Sequence, residues 1–341
     1  MMPLRSKATT IQDVATLAGV SPATVSKVLN HAPHVRGSTR ERVLEAVQKL
    51  NFRPNRIARS LKAKRTLTIG VVSDDPEGLF TIPMLRGVED AVSPHGFSVF
   101  MSTSHGDMAR ERALLEVFLD KQVDGLILMS GYRVRARGAP ALPLNDVPVV
   151  YLYQYTSDVA VPCVIPDDKG GAQLGVRHLI EAGRRRIGMI SGTRDYEATI
   201  QRLDGYREAL HAAGIAFNPL LVCEGDWHEA SAYALAHELM AMPEPPDALF
   251  CGTDSMAVGA LDALHERKLR VPEDVAVLGF DNRIFAPYQR PPLTTVALPF
   301  YEMGQRAGQL LLAAIRGDAP TPAIHREPCY LVERQSSRVS A

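Results

Sequence analysis

From Leu67 onward the chain alternates short apolar runs with helical stretches, and it passes through that alternation twice. This feature constrains the fold most, because parallel strands need long crossover connections and a helix is the usual one. The first series predicts strands over 67–72, 97–101, 125–129 and 149–153, with helices over 84–93 and 109–121. After Asp167-Asp168-Lys169-Gly170-Gly171 the second series predicts helices over 172–182, 203–213, 230–240 and 255–267, with strands over 186–190, 248–251 and 275–279. Two such series imply two α/β lobes with a cleft between them. Ligands of open α/β sheets bind beyond the carboxyl ends of the strands. The candidates there are Phe80 after the first strand, Gln154 after the fourth, Thr253 after 248–251 and Asp281 after 275–280. Asp254, next to Thr253, reads as a helix N-cap rather than a ligand.

The first 66 residues follow a different pattern. Thr10 and Asp13 form a capping-box pair, and Ile11, Val14, Ala15 and Ala18 make one apolar stripe of a short helix that Gly19-Val20 breaks. Ser21 is a good N-cap with Pro22 at the first helical position, and Val25, Val28 and Leu29 turn inward. Ser38 with Glu41 predicts the cap of a third helix, with Val43, Val47 and Leu50 on its inner face. The result is a helix-turn-helix head. On the second helix Pro22, Ala23, Thr24, Ser26 and Lys27 remain outside, and they are small, hydroxylated or cationic, as reading a major groove requires. Charge agrees. The chain is formally neutral with 38 basic and 38 acidic residues, yet residues 1–66 hold 13 basic against 3 acidic ones, leaving 25 and 35 for the remainder. A head of net +10 attracts a polyanion, and the acidic remainder avoids one.

The run Thr10-Ile11-Gln12-Asp13-Val14-Ala15, followed by Ala18-Gly19-Val20-Ser21-Pro22-Ala23-Thr24-Val25-Ser26-Lys27-Val28-Leu29-Asn30, closely resembles the head of the lactose-repressor (LacI/GalR) family of bacterial transcription regulators. The resemblance continues to the C-terminus. It implies that Pro22, Ala23 and Lys27 read bases, while Thr10, Ser21, Thr24, Ser26 and Asn30 are available to hold phosphates. Residues 51–65, with Asn55, Ile57, Ala58, Leu61 and Lys62 among many cations, are too short and too charged for a stable isolated helix. The resemblance makes this segment a hinge helix, paired with its dimer mate in the minor groove, where Leu61 wedges between base pairs. It also implies that the chain returns to the first lobe near Pro299, as in periplasmic sugar-binding proteins. Arg202, Trp227, Thr253 and Asp281 resemble the family's effector-binding positions. An arginine and an aspartate suit neighbouring hydroxyls and an indole covers a sugar ring, although a purine would stack equally well. The chain departs from the family where a hydroxyl is common, at Ala198 with Tyr196 two residues before it, and at Gln154, near a position that is often acidic.

The expected architecture is therefore an all-α helix-turn-helix head (8–51), a hinge helix and linker (52–66), and a two-lobed, periplasmic-binding-protein-like α/β effector domain (67–341). Its first lobe spans 67–166 and 299–327, and its second spans 167–298 and 328–337. The expected function is DNA-binding transcription regulation, most simply repression, under allosteric control by a sugar-like small effector. Two heads reading two half-sites require a homodimer on double-stranded operator DNA. The short tail lacks the leucine heptads of a tetramerising coiled coil. A solute-binding protein or an α/β sugar enzyme would share the lobes but would have no use for the head. Enzyme motifs are missing: there is no Walker A, no G-x-S-x-G, no H-E-x-x-H and no G-x-G-x-x-G after a strand. No cofactor or metal is expected, and the four dispersed cysteines fit neither a zinc ribbon nor a disulfide framework. With no signal-peptide core and no run approaching 18 apolar residues, the expected location is the cytoplasm, at the nucleoid.

Overall fold

The computed structural model describes residues 9–29, 32–52, 65–75, 78–129, 147–154, 161–318 and 323–338, and the chain divides into two compact units at Thr66/Leu67. In the first unit, α1 (Ile11–Ala18) opens with the full capping box: Asp13 N–H donates to Thr10 Oγ1, and the Asp13 carboxylate accepts from Thr10 N–H at 2.8 Å. Gly19, at φ 64°, ends it in the left-handed conformation that only glycine adopts without strain. In α2 (Pro22–Leu29) Thr24 N–H donates to Ser21 Oγ, as an N-cap should. The third helix, α3 (Gly37–Lys49), begins earlier than its predicted cap. Arg36 occupies the cap position without a side-chain bond and its carbonyl accepts from Thr39 and Arg40, so Ser38 lies inside the first turn. Val14, Ala15, Ala18, Val25, Val28, Val43, Ala46 and Phe52 form the core of this unit, whereas Ile11, at the end of its stripe, is exposed.

The second unit holds two six-stranded sheets. The strands are β1 (Thr68–Ser73), β2 (Ser98–Thr103), β3 (Gly125–Met129), β4 (Val149–Leu152), β5 (Cys163–Pro166), β6 (Ile187–Ser191), β7 (Val222–Glu224), β8 (Ala248–Cys251), β9 (Ala276–Asp281), β10 (Thr294–Ala297), β11 (Ile324–Glu327) and β12 (Tyr330–Val332). One sheet has the order β11-β5-β4-β3-β1-β2 and is parallel throughout. The other has the order β12-β10-β9-β8-β6-β7, with only β12 antiparallel. The helices are α4 (Thr81–Val92), α5 (Met108–Asp120), α6 (Asp168–Glu181), α7 (Glu197–Ala212), α8 (Glu229–Met240), α9 (Asp254–Glu266) and α10 (Phe300–Arg316).

The chain crosses between the lobes three times: after β5, between β10 and α10, and between β11 and β12. Helix α10 thus returns to the first lobe and packs on α4. There Gly87 and Gly304 let the backbones touch, since a Cβ on either would stand about 2 Å from a carbonyl oxygen of the other helix. Helix α6 starts four residues before its predicted start. Asp167 caps it by accepting from Gly170 N–H at 3.0 Å, so the Gly-Gly pair sits within the helix.

Candidate functional site

Each sheet changes winding direction beside its first strand, between β1 and β3 in one lobe and between β6 and β8 in the other. The connections on either side of such a point run to opposite faces of the sheet and leave a crevice at the carboxyl ends. In the second lobe glycines stand at both strand ends, Gly192 after β6 and Gly252 after β8.

Arg202, buried on α7, reaches this point. Its Nε donates to Asp168 Oδ1 at 2.7 Å, its Nη1 donates to the Gly252 carbonyl, and Asp281 Oδ1 stands 3.9 Å from the same nitrogen. Its guanidinium lies over Phe280 at 3.8 Å and 5.8 Å from the Trp227 ring. Burial opposes the arginine's charge, but Asp168 and Asp281 beside it outweigh that and hold it protonated. Burial dominates for Asp281, whose carboxyl is pushed up to about 8 although Arg202 pulls it down. The Trp227 indole lies against Gly192 with Tyr196 edge-on at 5.5 Å. Trp227 Nε1 and Thr199 Oγ1 are buried without a hydrogen-bond partner among the described residues. In the first lobe Phe80, Tyr153 and Phe300 pack mutually with ring centroids 5.4–5.7 Å apart. Asp75 builds the turn that places Phe80, accepting from the backbone N–H groups of Gly78, Phe80 and Thr81.

The cap of α9 falls on Thr253, one residue before the expected Asp254. Thr253 caps α9, with its Oγ1 accepting from Met256 N–H at 3.1 Å. Asp254 is the first helical residue, fully buried, and accepts from Thr295 Oγ1 and from Arg283 N–H. Burial pushes its carboxyl up to about 6. Asp281 ends β9 instead of following it. Gln154 is buried after β4, and its carbonyl accepts from the Cys163 thiol. In the head, Thr10, Ser21, Ala23 and Lys27 are exposed and Pro22, Thr24 and Ser26 half-buried, while Asn30, Asn55, Ala58, Leu61 and Lys62 lie outside the described residues.

Residues 10–55 match the family described as bacterial regulatory proteins, lacI family, and residues 176–337 match a periplasmic binding protein-like domain. Catabolite control protein A of Priestia megaterium is 36% identical over 330 residues, covering 96% of this chain and 99% of that protein. The chain belongs to the LacI family of bacterial regulatory proteins. Among solved LacI-family structures, the Lac repressor dimer bound to operator and the anti-inducer ONPF aligns with a TM-score of 0.84 at 30% identity, covering 98% of this chain and 100% of that one. A complex of the regulator CelR with cellobiose aligns at 0.68 and 34% identity, covering 96% and 99%.

As a LacI-family member this chain is a DNA-binding transcription regulator with an effector-binding domain, and not an enzyme. Among the described residues no helix is long and apolar enough to cross a membrane. Sequence reasoning passed over six cleft residues: Asp168, Gly192, Thr199, Tyr153, Phe300 and Arg283. Asp168 carried a usable signal, because an aspartate pair before a helical stretch supplies both a cap and a second carboxylate.

Proposed function

We propose that the chain is a cytoplasmic, nucleoid-associated repressor that binds operator DNA as a homodimer and is controlled by a neutral, sugar-like effector held between its lobes. The observation that carries the effector assignment is Arg202, buried between Asp168 and Asp281 with its guanidinium near the Trp227 ring. Bidentate donors and acceptors beside an aromatic face match vicinal hydroxyls on a ring. Phe80, Gln154 and Tyr196 complete the effector set, and Thr253 contributes its backbone position next to Gly252.

In this reading residues 8–51 form the DNA-binding head, 52–66 the hinge and 67–341 the effector domain. Pro22, Ala23 and Lys27 face bases, and Thr10, Ser21, Thr24, Ser26 and Asn30 face phosphates. Asn55, Ala58, Leu61 and Lys62 act from the hinge in the minor groove. A homodimer is supported by apolar side chains left outside: Phe100 and Met101 on edge strand β2, Met108 beyond it, and Ile284 at 87% exposure. An uncovered edge with such a surface calls for a partner. The relatives point the same way, since one solved structure is a repressor dimer on its operator and another holds cellobiose.

The test is a thermal-shift screen against sugars, sugar phosphates, polyols and purines, repeated with a palindromic operator fragment. A ligand at about 100 times its Kd adds roughly 2.7 kcal/mol. A sugar hit weakened by operator identifies an inducer, and a hit strengthened by operator identifies a corepressor. No hit in the panel removes the sugar assignment.

A further inference from the structure

Arg283 stands two residues beyond Asp281 and leaves the second lobe for the first. Its Nη1 donates to the Leu79 carbonyl at 3.1 Å, and its guanidinium lies 4.9 Å from the centre of the Phe80 ring. Both ends of this bridge are fixed. On the second lobe Asp254 accepts from Arg283 N–H at 2.6 Å, and Arg334 donates to Asn282 Oδ1 at 2.7 Å. On the first lobe Asp75 holds the backbone of Phe80 and Thr81, and the Phe80 ring is packed on Tyr153 and Phe300. A side chain that joins two stiff loops transmits the position of one to the other, whereas a bridge between soft loops would be absorbed by them.

We propose that Arg283 is a positioning residue that latches the two lobes together, holding Phe80 and the Tyr153 ring packed on it toward Arg202, the neighbour of Trp227, and so limiting solvent access to that indole before any effector enters. Its regulatory meaning rests on the cleft being the effector site, but the latch itself needs no effector to be observed. The turn from Asp281 to Arg283 then carries two functions: Asp281 faces the buried arginine and Arg283 holds the opposite lobe. An effector that displaces Asp281 therefore acts on the latch through two peptide units.

Trp227 is the only tryptophan in the chain, so its fluorescence reports on the cleft alone. The experiment is acrylamide quenching of the ligand-free full-length protein as wild type, Arg283→Met, Arg283→Lys, Phe80→Leu and Arg290→Met. A charged hydrogen bond with a cation–π contact changes the closed-to-open ratio by about tenfold, which takes an open fraction of about a tenth to about a half. Quenching should therefore rise several-fold in Arg283→Met, rise in the same direction in Phe80→Leu, and return toward wild type in Arg283→Lys, where the cation is kept. Arg290 donates only to the nearby Tyr288 and Gln289 carbonyls among the described contacts, so Arg290→Met should match wild type. Wild-type quenching in Arg283→Met and Phe80→Leu overturns the latch, as does an equal rise in Arg290→Met or a wild-type indole as accessible as free tryptophan. The effector screen fails independently of this result.

Discussion

Gly192→Ala tests the proposed seat of the effector most directly. The Trp227 indole rests on the Gly192 Cα, where a methyl group would stand 2.0 Å from Cζ2, 2.1 Å from Cε2 and 2.3 Å from Cη2. Carbon atoms in good contact are about 3.5–4.0 Å apart, so the ring has to retreat by roughly 1.5 Å. Gly192 lies outside the left-handed region, so alanine adds no backbone strain there. The displaced indole loses its edge contact with Tyr196 and carries its buried Nε1 away from the cleft. Losing a ring stack and a hydrogen bond from a ligand costs about 1–3 kcal/mol, or roughly 5- to 150-fold in affinity. Calorimetry with the effector found in the screen measures that loss. The emission maximum of the single tryptophan should move to longer wavelength without any ligand. Operator affinity measured without effector at fixed salt should hold, because the head is a separate unit and no effector is present to act on it through the cleft. An unchanged emission maximum together with unchanged effector affinity would refute the placement of the indole.

Three further outcomes are expected. Arg202→Ala leaves Asp168 buried without its cation, so besides abolishing the effector response it should cost about 3–5 kcal/mol in denaturant unfolding. The carboxyl of Asp281 is raised from 3.8 to about 8 by burial, so the folded chain binds the proton more tightly than the unfolded chain. Its contribution to stability is full below pH 3.8 and is lost as pH rises through about 8; Asp281→Asn should flatten that decline in a plot of Tm against pH. Leu61→Ala should weaken operator binding and spare effector binding, and equal operator affinity in an anisotropy titration would remove the wedge.

The parts of the fold written in local signals were legible. Strands β3 and β8 match their predicted bounds because each is a continuous apolar run closed by turn residues and buried along its whole length. The caps of α1 and α2 were readable for the same reason, since Thr10 and Ser21 act on residues within one turn. The unread strands are β5, β7, β10, β11 and β12, each three or four residues long. Length alone does not separate them, since β8 is also four residues long; β7, β11 and β12 are partly buried edge strands without a continuous apolar run, and their existence depends on a partner far away in the chain, as when Ile324 pairs with Cys163. The shift of the cap from Asp254 to Thr253 has a similar origin. Either residue is a competent cap; what decides is Asp254's attachment to Thr295 and Arg283, which no local rule contains.

The cleft itself is where local rules mislead most, and the backbone shows why. Tyr153 after β4, Trp227 after β7, Asp281 at the end of β9 and Asn282 beside it all have positive φ, at 56°, 74°, 108° and 55°. Asparagine tolerates that region; tyrosine and tryptophan do not, and each such residue costs about 1–3 kcal/mol. The family resemblance nevertheless names Trp227 and Asp281, whereas Tyr153 reads as the last residue of a strand and goes unnamed. The strain persists because long-range bonds over-determine the turns: Tyr153 N–H donates to the Val164 carbonyl at 2.8 Å, and Arg334 and Asp254 clamp the turn from Asn282 to Arg283. Strand ends bent this way bring large aromatic and acidic side chains to the crevice between the lobes. Positive φ alone does not mark the site, since Asn51, Leu67, His105, Gln122 and Lys268 adopt it elsewhere; what distinguishes Tyr153, Trp227 and Asp281 is that their turns carry large aromatic or acidic side chains beside the buried Arg202.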